Sequence, residues 1–138
     1  MICVDFFKER VKTIMEIFKN IEEMKPYYNE KTNTYEFIEN GLPIDILINF
    51  DLYITSCIYA RDINACDINA CDINAWDINA CDIRAENINA NNIRYDSVCY
   101  ARQKFVCNSI EGIRPNSKHF CLDSEIVIRL SKDSGCRK

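Results

Sequence analysis

At 138 residues, 48% hydrophobic and 11% aromatic, the chain can bury one core and is too apolar for a disordered segment. No apolar run approaches the ~20 residues that span a bilayer. The opening MICVDFFKER lacks the pattern of an export signal, so a cytoplasmic protein is expected. The net charge of −4 is uneven. Residues 1–59 hold six basic and ten acidic side chains, residues 60–96 three and seven, and residues 97–138 eight and four, so an acidic body ends in a basic tail.

Asp5 to Met24 reads as an amphipathic helix, with Phe7, Val11, Ile14, Met15, Phe18 and Ile21 on one face, Asp5 as N-cap and Pro26 as stop. Its polar face mixes signs, so the apolar stripe is expected to meet a core and not a membrane surface. A polar turn over 29–33 leads into a short strand from Thr34 to Ile38, and Asn40-Gly41 is a turn signal. From Ile44 the period becomes two. Ile44, Ile46, Ile48, Phe50, Leu52 and Ile54 lie on one side, as in a long half-buried strand.

The chain is then dominated by ARDIN ACDIN ACDIN AWDIN ACDIR AENIN ANNIR, seven five-residue units from Ala60 to Arg94. Ile recurs at 63, 68, 73, 78, 83, 88 and 93, and Asp or Asn precedes each one. After Arg94 the repeat decays. Ile93-Arg94-Tyr95 and Val98-Cys99-Tyr100 read as sides with Tyr in place of Ala, and Phe105 and Ile110 as further sides. Gly112 and Pro115-Asn116-Ser117 mark a break, and Glu125 to Leu130 a last strand. The expected units are a helix and hairpin cap (1–43), a five-residue-repeat solenoid (44–115) and a C-terminal strand with basic tail (116–138).

A period of five excludes a helix, because the Ile stripe would rotate by about 140° per unit. It also excludes a flat strand, because an odd period alternates faces. A coil that bends once per unit satisfies it, with Ile inside, Asp or Asn bonding the corners, and successive coils paired in parallel. These residues resemble the pentapeptide-repeat proteins over about Ile58 to Ile113. The resemblance implies a mainly β fold, a short parallel β-helix, right-handed and square; the N-terminal α-helix and hairpin are expected to cap its start and the C-terminal segment its far end, because an open coil end exposes unpaired edges. The family's small inward residue lies two before the apolar one. Here that position holds Cys66, Cys71, Trp76, Cys81, Glu86 and Asn91, while Ala follows Ile by two, as in Ile63-Asn64-Ala65. Ile and Ala are therefore expected inside, and the Cys/Trp position at a corner or outside.

In a square coil residues twenty apart stack, which places Cys66 by Glu86, Trp76 by Asp96, and Asp67, Asp72 and Asp77 by Asn87, Asn92 and Ser97. A three-sided coil would instead stack Cys66 on Cys81. The nine cysteines are odd in number, and most are expected to be reduced, small semi-apolar residues.

The expected partner-binding residues are Asp67, Asp72, Trp76, Asp77, Asp82 and Glu86. The resemblance adds a function for an acidic flank, since some members are similar to duplex DNA in shape and charge and occupy gyrase. The plainer reading is that the carboxylates bond the corners and keep the coil in solution. At roughly three coils the solenoid would be ~10–15 Å long, short of one ~34 Å duplex turn. Trp76 is either an exposed anchor or a side chain under the N-terminal helix. A metal site of His119 and Cys121 with Cys99, Cys107 or Cys136 lacks the close spacing that zinc sites show, and no metal is expected. No G-x-S-x-G, H-E-x-x-H or Gly-rich phosphate loop is present, so no catalytic residue, cofactor or small-molecule ligand is expected. The basic end (Arg114, Lys118, Arg129, Lys132, Arg137, Lys138) either complements the acidic body or touches nucleic acid.

Two functions follow. One is a non-enzymatic protein-binding solenoid, suited to a phage or mobile-element inhibitor that blocks a nucleic-acid-handling enzyme. The other is a self-assembling structural solenoid, a homo-oligomer or filament.

Overall fold

The computed structural model describes residues 15–129. The protein is mainly β, a parallel-rich β-solenoid of about 5 turns. Its backbone pairs along three faces. The first face carries Met15–Phe18, Asp45–Ile48, Asp62–Ala65, then 77–79, 92–95 and Ser109–Gly112. The second carries Leu52–Tyr53, then 67–70, 82–85 and 98–101, and Lys118–Cys121. The third carries Thr34–Glu36, Cys57–Tyr59, then 72–74, 87–89 and 104–107, and Val127–Ile128. The strands Asp77–Asn89 and Asn92–Cys107 each run through all three faces. The ladders therefore extend beyond 44–115 at both ends.

Each regular coil has three sides, not four. Asp67 pairs with Asp82, Ile73 with Ile88 and Ile78 with Ile93, in each case fifteen residues on. The stacking expected at twenty residues is thus replaced. Cys66 lies beside Cys81, whose amide donates to the Cys66 carbonyl at 2.9 Å. Trp76 stacks between Arg61 and Asn91 through bonds of 2.7 and 2.6 Å. Fewer residues per coil give more coils, and about 5 turns at ~4.8 Å per rung span roughly 24 Å.

The interior is as the Ile/Ala pattern requires. Ile63, Ile68, Ile73, Ile78, Ile83, Ile88 and Ile93 are 0–1% exposed, and Ala70, Ala75, Ala80, Ala85 and Ala90 are also buried. At ~25 cal/mol per Å² of apolar surface, a column of fully buried Ile is worth roughly 2 kcal/mol per rung before entropy is subtracted. The expected long strand from Ile44 is broken at a corner into Asp45–Ile48 and Leu52–Tyr53. Its period-two phase survives the bend, since Ile44, Ile46, Ile48 and Leu52 are all buried.

Beyond Arg94 the coils widen. Tyr95 does occupy the place of Ala80, and it is fully buried. The next side differs from expectation. Cys99 and Ala101 take the places of Ile83 and Ala85, sixteen residues on, so Val98 and Tyr100 lie in the alternate, outward phase. One extra residue at the corner between Tyr95 and Val98 causes the shift. Gly112 sits over Tyr95, and a Cβ there would stand 2.8 Å from the Tyr95 hydroxyl and 2.3 Å from Ser117 Cβ. The large ring is thus accommodated by a residue with no side chain.

At the other end, the expected helix is not continued through its described part. Met15–Phe18 is a strand pairing with Asp45–Ile48, and Ile21–Tyr27 is a 3-10 helix that includes Pro26. Residues 5–14 of that helix lie outside the described residues. Pairing the backbone of an exposed coil edge outweighs the helical spacing of the side chains. Asn20 caps the 3-10 segment, its side chain accepting from the Glu23 amide at 3.2 Å. Phe18, Tyr27, Tyr35 and Phe37 cluster against this end of the core, with neighbouring ring centroids 5.2–6.3 Å apart. Ile38–Glu39 and Leu42–Pro43 form the hairpin signalled by Asn40-Gly41, both turn residues having positive φ. At the C-terminal end the expected strand is shorter, Val127–Ile128, and the tail from 130 lies outside the described residues.

Candidate functional site

The outward positions form columns fifteen residues apart, and the columns decide which acidic side chains meet. At the start of the first face Asp62 and Asp77 stack, followed by Asn92 and Ser109. The Asn92 amide donates to Asp77 at 3.1 Å, and the Ser109 hydroxyl to Asn92 at 2.7 Å. At the start of the second face Asp67 stacks on Asp82, and the Asp51 carboxylate accepts from the Asp67 amide at 3.4 Å. On the third face Asp72 meets Asn87, whose amide donates to it at 2.8 Å.

The six expected partner-binding residues are therefore spread over the coil. Trp76 and Asp77 are neighbours at the corner that opens the first face. Asp67 and Asp82 lie together one side further round, and Asp72 lies on the third face. Glu86 stands at the corner between the second and third faces, 3.3 Å from the Arg102 guanidinium. Trp76 is 50% exposed.

Two columns place carboxylate on carboxylate. The Asp62 carboxyl is pushed up, first by burial, then by Asp45 and Asp77. That of Asp67 is pushed up by burial, then by Asp82 and Asp51. Asp45 is held differently. It is 7% exposed and receives two bonds from Arg61, at 2.7 and 3.0 Å. That Asp bond is the main reason the Arg61 guanidinium titrates higher than usual. The sequence gives no local sign of this pair, because its members are sixteen residues apart on successive coils. Part of the basic end also complements the body, since Arg114 binds Asp96 at 2.7 Å and Arg129 donates to the Ala90 carbonyl.

Among the described residues, Cys99, Cys107, His119 and Cys121 do not form a metal-binding group, and Cys136 lies outside them. Cys99 and Cys107 are buried in the core with thiols pushed up, chiefly by burial. His119 Nδ1 is bonded to the Tyr95 hydroxyl at 2.6 Å, and Cys121 contacts Ser124. A different group does converge. Donor atoms of Cys57, Cys71 and Asp72 all lie within 4.8 Å of one another. Sequence reasoning missed it because Cys57 precedes the recognisable repeat. The only signal is the fifteen-residue offset from Cys57 to Asp72.

No protein-family model, curated protein or solved structure matches this chain. Among the described residues no helix is long and apolar enough to cross a membrane.

Proposed function

We propose that the chain is a non-enzymatic binding solenoid whose first face docks a basic protein surface, that of a nucleic-acid-handling enzyme. The observation that carries this reading is Trp76. A half-exposed tryptophan at a rigid corner, adjoining the stacked carboxylates Asp62 and Asp77, combines an apolar anchor with charge. The second pair, Asp67 and Asp82, borders the same face at its other corner. A five-residue side at ~3.3 Å per residue puts the two acidic columns roughly 16 Å apart or a little less, against ~12 Å for the major groove of duplex DNA. Between them Asn64, Asn79 and Arg94 help to line a shallow groove of about 240 Å³. The length of roughly 24 Å approaches one ~34 Å duplex turn. An inhibitor encoded by a phage or mobile element fits this chemistry.

A second reading, self-assembly, is favoured by one observation. Among the described residues, the C-terminal rung exposes Phe120, Leu122, Val127 and Ile128 at 38–57%. One experiment separates the two. The tagged chain is used to capture partners from a bacterial lysate while the free protein is followed by light scattering over a concentration series. Docking predicts a nucleic-acid-handling protein in the capture, lost with Trp76→Ala combined with Asp77→Asn, from a particle of constant mass. Growth in mass with concentration and no change in capture would overturn docking in favour of assembly.

A further inference from the structure

We propose that Cys57, Cys71 and Asp72 form a binding site for a thiophilic divalent cation, of which zinc is the natural representative. Their donor atoms lie within 4.8 Å of one another. The donors of a tetrahedral zinc site, with bonds of about 2.0–2.3 Å, stand about 3.3–3.8 Å apart, so side-chain rotation of about 1 Å closes the set.

The backbone beneath the site is fixed. The Cys57 amide donates to the Asn33 carbonyl at 2.9 Å, and the Cys71 amide to the Ser56 carbonyl at 3.0 Å. The 72–74 segment pairs with 87–89. Strands hold donor atoms with less spread than loops do. Asp72 is also oriented, because one of its oxygens accepts from Asn87 at 2.8 Å and the other remains for a cation. Such an outer partner is what metal-binding carboxylates require. All three donor residues are partly exposed, so an ion can enter. Two thiolates with one carboxylate select zinc, cobalt or cadmium over magnesium or calcium. Among the described residues these three are the whole group, which leaves the fourth position of a tetrahedral ion to water.

The test is titration of the reduced full chain with cobalt(II), then zinc. The expected result is a thiolate-to-cobalt charge-transfer band that saturates at one ion per chain and vanishes when zinc is added. Cys57→Ser and Asp72→Asn should abolish the band, and Asn87→Ala should weaken binding by about tenfold or more. Cys66→Ser and Cys81→Ser should leave it unchanged. Zinc should raise the melting temperature of the parent protein but not that of Asp72→Asn. That variant keeps its bond to Asn87, so it decides the matter if Cys57→Ser does not fold. No band, a band that persists in Asp72→Asn, or a Cys57–Cys71 disulfide in the native protein would overturn the proposal.

Discussion

The coils from Cys57 to Arg94 and those from Tyr95 onward use the same three faces and fill them differently. In the first region every rung is a near copy of the next. Ile and Ala fill the interior, and each coil takes fifteen residues. In the second, inner residues vary from Gly112 to Tyr95 and Phe105, and pairing offsets grow to sixteen, seventeen and twenty, as in Asp82 with Val98, Asn87 with Lys104 and Val98 with Lys118. The regular region is interchangeable along its axis. The later region is specific, because Tyr95 is matched by Gly112 above it.

The strongest way to break this comparison is to remove whole lengths of chain. Deleting residues 62–76 joins Arg61 to Asp77 and returns every later side to its own face. A folded solenoid one coil shorter is expected, with stability lowered by about one repeat's share. Deleting twenty residues, 62–81, keeps the partners of every side from Asp82 onward but turns that whole part by one face against the sides at 45–48, 52–53 and 57–59, so a larger loss of stability than for the fifteen-residue deletion is expected. Circular dichroism and thermal melts read both. Tolerance of the twenty-residue deletion and failure of the fifteen would contradict the three-sided register.

The next effect lies in the later coils. Tyr95→Ala should cost about 3–5 kcal/mol, as expected when a buried aromatic leaves a cavity, because Gly112 above it has no side chain with which to collapse inward. Tyr95→Phe should cost only about 1 kcal/mol, the bond to His119. Denaturant unfolding measures both, and equal losses would mean that the hydroxyl, not the ring, is what the site holds.

The five-residue period, the buried Ile and Ala and the corner position of Cys and Trp were legible because each rests on spacing within one or two units. The number of sides was not. Asp62-Ile63-Asn64-Ala65 makes the same local strand and corner whether three or four such sides close the coil, and closure depends on how the inner side chains fill the lumen. The visible sign was the Ala two residues after Ile, where a square coil of the family carries its small residue two before. Met15–Phe18 shows the opposite failure. Its helical spacing is real, but an unpaired coil edge competes for the same backbone. The expected acidic residues do not share one face. Asp67, Asp72 and Asp77 are consecutive in the repeat, and a three-sided coil sends consecutive units to different faces.

The smallest effect concerns identical residues with unlike neighbours. Asp67 stacks on Asp82, whereas Asp72 stacks on Asn87 and receives its amide. Asn serves the same corner naturally at 87 and 92, so Asp→Asn leaves the turn intact. Asp62→Asn and Asp67→Asn should therefore stabilise the protein at neutral pH by about 0.5 kcal/mol each, the scale of directly opposed like charges. In the presence of a chelator Asp72→Asn should give no gain, because it weakens a bond made to a charge. The pH dependence has a definite sign. Both raised carboxyls bind protons more tightly folded than unfolded. Their contribution to stability therefore falls as pH rises through the folded pKa, and the full cost is present above it. The advantage of the Asn variants should thus be complete at neutral pH and shrink on acidification through the carboxylate range. Melting temperatures across that range decide the point. An advantage that grows toward acid, or an equal gain for Asp72→Asn, would mean that stacked charge is not what separates these columns.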